Sequence, residues 1–476
     1  MKEYALGAYT LRVNSKTRVD KIKPGAEEGI PLSVWLNSCG VIIWETCRKD
    51  EYYITLPLYS ATSLFVRDKI ISDSLSDIID GAEISKESLD SLLDFCFLCS
   101  PKTLFKDVLK LPRWTYMKIS EDGAVSLHPI KLRGNDGSSA REGFGVAMST
   151  LRLRGTREGG KTALAFSGGL DSALLREMLK RGGIPHSLYN VRVIGGRDES
   201  AYQKICLGDS GDSVERSVMT EEDAEAAFLE HIKGYELFSS SIALKYEFMY
   251  KDLAKRGYRT VLTGDGPDEL FVSAVSDSGL ITDNGRRMRA ILGGGTGDVP
   301  CFFKNEGVLG NWYAYNYVFS PETNVYFEHL IAARYGIDLV MPYLSPEMLD
   351  FSARHSEEIY GMRPKELLRD YAIEMLPEVI VQREKRGFTS DVALWFSEGR
   401  VFYERAKALA AARYPTDYEN SLAARIGALL SEYSGNYDPE SRTKGRGGIN
   451  SLYANVLVLS WLVGIRENNI HGLRFE

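Results

Sequence analysis

The sequence predicts an α/β fold, a doubly wound parallel sheet preceded by a smaller domain that is mostly β. Three observations predict it. From Lys161 onward, short apolar runs alternate with helical patterns, the rhythm of a parallel sheet covered by helices. The run Thr162 to Phe166 ends at once in Ser167, Gly168 and Gly169, then turns helical with Leu174, Leu175, Met178 and Leu179 on one face. Before residue 145, strand-like runs are separated by turn residues, with one helical stretch among them.

The chain of 476 residues has room for two or three domains. Its 44% hydrophobic and 26% charged residues place it among ordinary globular proteins. A net charge of -7, with Lys and Arg scattered, argues against a nucleic-acid partner. The opening MKEYALGAYTLRV has no apolar core segment, so no signal peptide is expected. Val456 to Ile465 is the longest apolar stretch, about half of the roughly 20 residues a membrane span needs. It reads as a buried helix, and no membrane is expected. Six cysteines are few, and the Cys96/Cys99 pair has no second pair or His nearby, so neither a disulfide scaffold nor a zinc site is expected. The cytoplasm is the expected compartment.

Taken in order, Ala5 to Val13, Gly40 to Cys47 and Tyr52 to Leu58 read as strands, and Val66 to Ile71 as a further edge strand interrupted by charge. Leu89, Leu92, Leu93 and Phe97 recur at helical spacing, predicting a helix over Lys86 to Cys99. A strand follows, ending in the hairpin signal Glu121-Asp122-Gly123. The Gly, Ser and Arg of residues 134 to 160 suggest a linker with a short helix, and the domain boundary is set at 145/146. Then come the strand Ser187 to Ile194, the helix Asp198 to Cys206 and the strand Val214 to Val218. Thr220 and Asp223 have capping-box spacing. A helix over Ile242 to Arg256 precedes the strand Thr260 to Leu262.

Two turns carry chemistry. In Ser-Gly-Gly-Leu-Asp-Ser (167–172) the glycines let phosphate oxygens approach the backbone, and the first helical N–H groups point at them. Asp171 and Ser172 read as the helix start. No Lys-Ser or Lys-Thr of the Walker type follows. Asp171 would repel phosphate unless a cation, most simply Mg²⁺, lies between them. The second turn, VLTGDGPDELF (261–271), again follows a strand and holds Asp265, Asp268 and Glu269. At adjacent strand ends, Asp171 and Asp268 would each give one oxygen to a shared Mg²⁺.

The SGGLDS turn resembles the pyrophosphate loop of the ATP pyrophosphatases (HUP-like folds), which cleave ATP to AMP and pyrophosphate while adenylating a substrate. TGDGPDELF, EHLIAARYGIDLVMPYLSPEMLDF and KELLRDYAIEMLPEVIVQREKRGF resemble the synthetase domain of asparagine synthetases and of the related β-lactam synthetases. The resemblance implies ATP contacts from Ser167, Gly168, Gly169, Asp171, Ser172, Val193, Thr263 and Gly264, and metal ligation by Asp171 and Asp268. Asp265 stands where that family has a Glu or Tyr that assists amine deprotonation, and Asp338 where it has a Glu, so the two would form an acid/base set. Val340 and Ser345 replace an Arg and an Asp of the family pattern, which puts an aspartate-like substrate in doubt. Lys385 stands at the family's lysine, suited to charge on the adenylate phosphate and on the tetrahedral intermediate. SPKTLFKDVLKLPRWTYMKISEDG resembles the end of the family's glutaminase domain, an α+β sandwich with an N-terminal cysteine nucleophile. Lys2 follows Met1 here, so a degenerate glutaminase-like domain without glutaminase activity is expected.

The reading is an ATP- and Mg²⁺-dependent amide ligase acting on a small-molecule or peptide carboxylate and an amine or ammonia donor. A homodimer is the candidate assembly. An ammonia-dependent asparagine synthetase, a nucleobase-modifying enzyme of tRNA and a non-catalytic nucleotide-binding homologue stand as alternatives. The stretch 275 to 320, with its glycines and aromatics, reads as a pocket wall or a surface excursion.

Overall fold

The first strand turns back on itself at Gly7, whose φ of 59° suits a glycine. The expected single strand Ala5 to Val13 is therefore a hairpin, β1 (Lys2–Leu6) and β2 (Tyr9–Val13). This is a computed structural model, and it describes residues 1–22, 40–45, 51–57, 59–98, 100–113, 115–130, 137–153, 155, 160–194, 198–271, 323–383, 392–433, 446–468 and 470–474. The stretch 275 to 320, Cys99, Lys385 and Asp391 lie outside the described residues.

The N-terminal part of the chain is built on two five-stranded sheets. One has the order β1-β2-β7-β6-β8 and the other β10-β9-β5-β4-β3. Their strands are β3 (Val19–Ile22), β4 (Val41–Glu45), β5 (Tyr52–Thr55), β6 (Phe65–Arg67), β7 (Ile70–Ser72), β8 (Leu109–Lys110), β9 (Thr115–Ile119) and β10 (Val125–Pro129). The predicted edge strand over Val66 to Ile71 is a second hairpin, because Asp68 and Lys69 form its turn and Asp68 adopts φ 53°. Its β7 lies inside the sheet, paired with β2 as well as β6. The alternation of β9, with Thr115, Met117 and Ile119 buried, points every second residue inward. Leu11 and Ile71 of one sheet share a core with Ile43, Ile54 and Met117 of the other. Each such aliphatic side chain contributes about 1.5–3 kcal/mol by leaving water. The hairpin at Glu121-Asp122-Gly123 joins β9 to β10 as expected.

The second domain carries a parallel sheet of order β13-β12-β11-β14-β15. Its strands are β11 (Lys161–Ala165), β12 (Ser187–Val193), β13 (Val214–Met219), β14 (Tyr258–Leu262) and β15 (Asp338–Val340), and all neighbours run parallel. The chain winds from β11 outward through β12 to β13, then returns to the other side of β11. The order therefore reverses between β11 and β14, and in such sheets ligands bind beyond the strand ends at that reversal.

Helices used below are α1 (Lys86–Phe95), α2 (Ala140–Ser149), α3 (Leu170–Arg181), α4 (Ser200–Leu207), α5 (Glu221–His231), α6 (Ile242–Lys255), α7 (Pro267–Leu270), α8 (Asn324–Arg334), α9 (Pro346–Arg354), α10 (Glu366–Ala372) and α11 (Arg446–Glu467). The Thr220–Asp223 capping box forms at the start of α5. α1 starts at Ser85, whose Oγ accepts from Ser88 N at 3.2 Å, and stops at Cys96 in the left-handed region. α2 packs on α9 and α10, and residue 145, where the boundary was expected, lies within this helix. α11 is long and apolar enough to cross a membrane, but 67% of that window is buried inside the fold. It packs on α1, and one hydrophobic core runs from α1 through the parallel sheet to α11.

Candidate active site

The turn after β11 is pinned from two sides. Phe166 O accepts from Asn190 Nδ2 at 3.1 Å and from Gln203 Nε2 at 2.9 Å. Gly168 has φ 74°, and a Cβ there would lie 2.7 Å from Gln203 N at α4. Only glycine fits both the angle and the space. Gly169 is the N-cap of α3 and provides no side-chain cap. Asp171 and Ser172 therefore lie in the first helical turn rather than capping it. Ser167 Oγ sits 3.1 Å from Ser172 Oγ and accepts from Gly169 N at 3.3 Å.

The turn after β14 meets this one directly. A Cβ on Gly264 would be 3.1 Å from Ser172 N and 3.2 Å from Asp171 Cβ. Gly266, at φ 117°, lies against Tyr343 and Leu344, where a Cβ would approach to 2.9 Å. Glu269 Oε2 accepts from Gly266 N at 3.0 Å, which commits this acid to its own turn. Thr263 N donates to Val340 O at 3.0 Å. Thr263 Oγ1 is buried with no hydrogen-bond partner among the described residues, a group that a ligand would satisfy. Val193 closes β12, buried and paired with Met219.

Asp171 and Asp268 converge on one cation, Lys365. Its Nζ lies 2.6 Å from Asp171 Oδ2 and 2.8 Å from Asp268 Oδ1. Burial alone would lower the Lys365 pKa, but the Asp171 and Asp268 charges outweigh it and hold the ammonium well above its ordinary range. Lys365 has φ 57°, a left-handed backbone uncommon for a residue with a side chain. Its N–H donates to Phe271 O at 2.9 Å, tying it to the end of the second turn. One helical turn on, Arg369 donates to the carbonyls of Val381 and Arg383. That segment brings Arg383 over the first turn. Its guanidinium pairs with Glu199, lies 3.6 Å above the Tyr202 ring and donates to Gly168 O at 3.4 Å.

Asp338, the acid expected to work with Asp265, stands at the start of a strand. It opens β15 in register with Thr260, two residues before Val340, which pairs with Leu262 at the strand end. At about 3.3 Å per residue it lies well below the strand-end turns, beside Gly155. A carboxyl that feels the Asp265 charge is Glu328 on α8. Glu328 is buried, and burial followed by the Asp265 charge holds its carboxyl far above the usual range. Tyr250 Oη donates to Glu328 Oε1 at 2.5 Å. Burial pushes Lys245 of α6 down to about 7 against the opposing pull of Glu328, Asp265 and Glu199.

Lys365, Arg383 and Glu328 were not singled out by the sequence. Lys365 and Arg383 stand at the start of the quoted segments KELLRD and REKRGF, Arg383 two residues before Lys385. The signal for Glu328 is an acid set among apolar residues in VYFEHLIAAR, the mark of a buried carboxyl that needs a reason.

The residues present fit a nucleotide and its metal. Two carboxylates, glycine-lined backbone and uncapped helical N–H groups are the set that Mg²⁺ and phosphates share, since Mg²⁺ takes one or two carboxylates and completes its shell from phosphate and water. Among the described residues no group of three or more metal-ligating side chains occurs. No curated protein matches the chain in a sequence search. The family profile of asparagine synthase matches residues 154–279 and 321–444, more than half of the chain and both strand-end turns, so the chain belongs to the asparagine synthase family.

Proposed function

We propose that this protein activates a substrate carboxylate with ATP and joins it to an amine or ammonia. Membership of the family makes it an ATP-dependent ligase in general terms. The observation that carries the finer reading is the convergence of Asp171 and Asp268 on one cation beside the uncapped start of α3.

Ser167, Gly168, Gly169 and Ser172 hold phosphate oxygens through the turn and the first N–H groups of α3. Thr263, Gly264 and Val193 line the nucleotide's other side. Asp171 and Asp268 hold Mg²⁺, which neutralises phosphate charge when bound. The substrate carboxylate oxygen attacks the α-phosphorus, the bond to pyrophosphate breaks, and an acyl-adenylate forms. The amine nitrogen then attacks the acyl carbon, AMP leaves, and the nitrogen's proton passes to Asp265. Glu328, its carboxyl held far above the usual range, stands behind Asp265 as a protonated acid. Lys385, outside the described residues, follows Arg383 by two and is proposed to stabilise the developing charge. One such donor is worth roughly 100 to 1,000-fold in rate. Nitrogen is taken as the amine or ammonia itself. Among the described residues the N-terminal domain has one free cysteine, Cys96, and burial raises its thiol pKa, the opposite of what a thiolate nucleophile needs.

The test is pyrophosphate release from ATP and Mg²⁺ across a panel of carboxylates, with and without amines. Release that depends on the carboxylate, and is lost in Asp171→Ala, is expected. Release that ignores the carboxylate, or an Asp171→Ala variant as active as the parent, rules the reading out.

A further inference from the structure

A dication is expected between Asp171 and Asp268, yet the chain's own ammonium fills that gap. We propose that Lys365 is a resident counter-ion that keeps free divalent metal off the carboxylate pair and yields the pair only to metal arriving with nucleotide phosphate. The inference rests on the reading of this site as one for a metal–nucleotide complex, and it adds an order of binding to it.

The distances leave no room for both cations. Nζ is 2.6 Å from one carboxylate oxygen and 2.8 Å from the other. A Mg²⁺ needs these oxygens at about 2.0–2.1 Å, so the ammonium must withdraw before the metal can claim them. The charges oppose free metal too. The bare pair would present two negative charges to a dication. With Lys365 in place it presents one, behind a positive group that repels the ion.

Phosphate changes this balance. A triphosphate brings several negative charges to the start of α3, within reach of a long side chain whose three N–H donors can turn to new acceptors. The ammonium can then exchange carboxylates for phosphate oxygens, and the released carboxylates take the metal. Among the described residues, Arg369 and Arg383 are not free to do this job. Arg369 is committed to the Val381 and Arg383 carbonyls, and Arg383 to Glu199.

The backbone supports a dedicated role. Lys365 is nine-tenths buried, adopts a left-handed φ of 57°, and is tied by its N–H to Phe271 O. A lysine present only for solubility has no reason to hold that conformation in that place.

The test uses the full chain and Mn²⁺ as probe, following free Mn²⁺ by its electron paramagnetic resonance signal. The wild type is expected to bind no Mn²⁺ by itself at concentrations where one ion per chain binds with α,β-methylene-ATP. Lys365→Met is expected to bind one Mn²⁺ without nucleotide, at least ten-fold tighter than wild type. Adding Asp268→Asn to it should abolish that gain, which locates the ion. Wild type taking up Mn²⁺ alone as tightly as Lys365→Met overturns the inference and leaves the ATP reading intact. A folded Lys365→Met that gains nothing also overturns it. Should that variant not fold, thermal melts of the wild type decide. Stabilisation by Mn²⁺ only with the nucleotide analogue supports the inference, and stabilisation by Mn²⁺ alone overturns it. Absence of binding even with the analogue overturns both readings.

Discussion

At the strand ends Lys365 lies between Asp171 and Asp268, and at the seam of β8 with α8 Lys110 lies between Glu236 and the ring of Tyr326. Both lysines are almost fully buried, and both are paired at under 3 Å. Their surroundings differ. At the seam, Tyr326 Oη donates to Glu236 at 2.6 Å and accepts from Ser63 Oγ at 2.9 Å. Lys110 Nζ stands 3.8 Å from the centre of the Tyr326 ring, and the Arg113 guanidinium covers the same ring at 4.6 Å. Arg113 donates to Pro57 O, Thr62 O and the hydroxyls of Ser60 and Ser63. At the strand ends, the carboxylates sit on glycine turns and keep 21% and 31% of their side-chain surface exposed. Buried charge occurs in both places, so it does not identify a site. Glycine-lined backbone, a helix start without a side-chain cap and a left-handed lysine occur together only at the strand-end cluster of the two. One cluster is a keystone between β8 and α8, and the other has parts that a ligand can exchange.

The largest expected effect separates them by activity. Asp268→Ala should cut carboxylate-dependent pyrophosphate release on the order of 1,000-fold, the scale for losing one fixed stabiliser of transition-state charge. Its denaturant midpoint should stay near that of wild type. A matching loss of stability would make the strand-end cluster a second keystone and erase the contrast. The seam should behave in the opposite way. Glu236→Ala leaves Lys110 buried without its carboxylate, so urea unfolding should show a loss of about 3–5 kcal/mol, with the KM for ATP unchanged in the folded fraction.

Glu328→Gln sharpens the comparison within the active site. It should slow amide formation about 100-fold, the usual scale for one acid/base group, while carboxylate-dependent exchange of pyrophosphate into ATP persists. Loss of both partial reactions would move Glu328 from proton transfer to scaffold.

The smallest effect is a pH dependence. Lys245 has a folded pKa of about 7 against an ordinary 10.5. Between these values the unfolded chain holds a proton that the folded chain lacks, so stability rises with pH there and is lost as pH falls toward 7. Melting temperatures of Lys245→Met should show a flatter rise over pH 7 to 10 than wild type, on the linkage argument that the titrating group is gone. An unchanged slope would assign the rise to other groups.

Much of this was legible in the sequence where the cause is local. The Thr220–Asp223 capping box and the Glu121-Asp122-Gly123 turn depend on neighbours within a few residues. So does the run from β11 through Gly168 into α3. The misread elements have local causes that resemble others. A charged interruption between Val66 and Ile71 looks like an edge strand, but Asp68 in the left-handed region makes it a turn. Asp338 looked like a partner for Asp265 because it stands where the resembled family pattern has a Glu. The parallel register sets it beside Thr260, and the Asp265 charge is felt by Glu328, an acid from the helix before.

By itself the sequence determined the parts: strands that end in glycine turns, an aspartate in each turn, and a lysine at the start of KELLRD. Each follows from hydrophobic period, from glycine's access to left-handed φ, or from residue type, and none needs a distant contact. Only the tertiary structure decided that β11 lies beside β14 and that Lys365, 194 residues from Asp171, closes the gap between the two acids. The physical reason is that this convergence is set by sheet order and by the bond from Lys365 N to Phe271 O, and neither leaves a mark on the residues nearby in the chain.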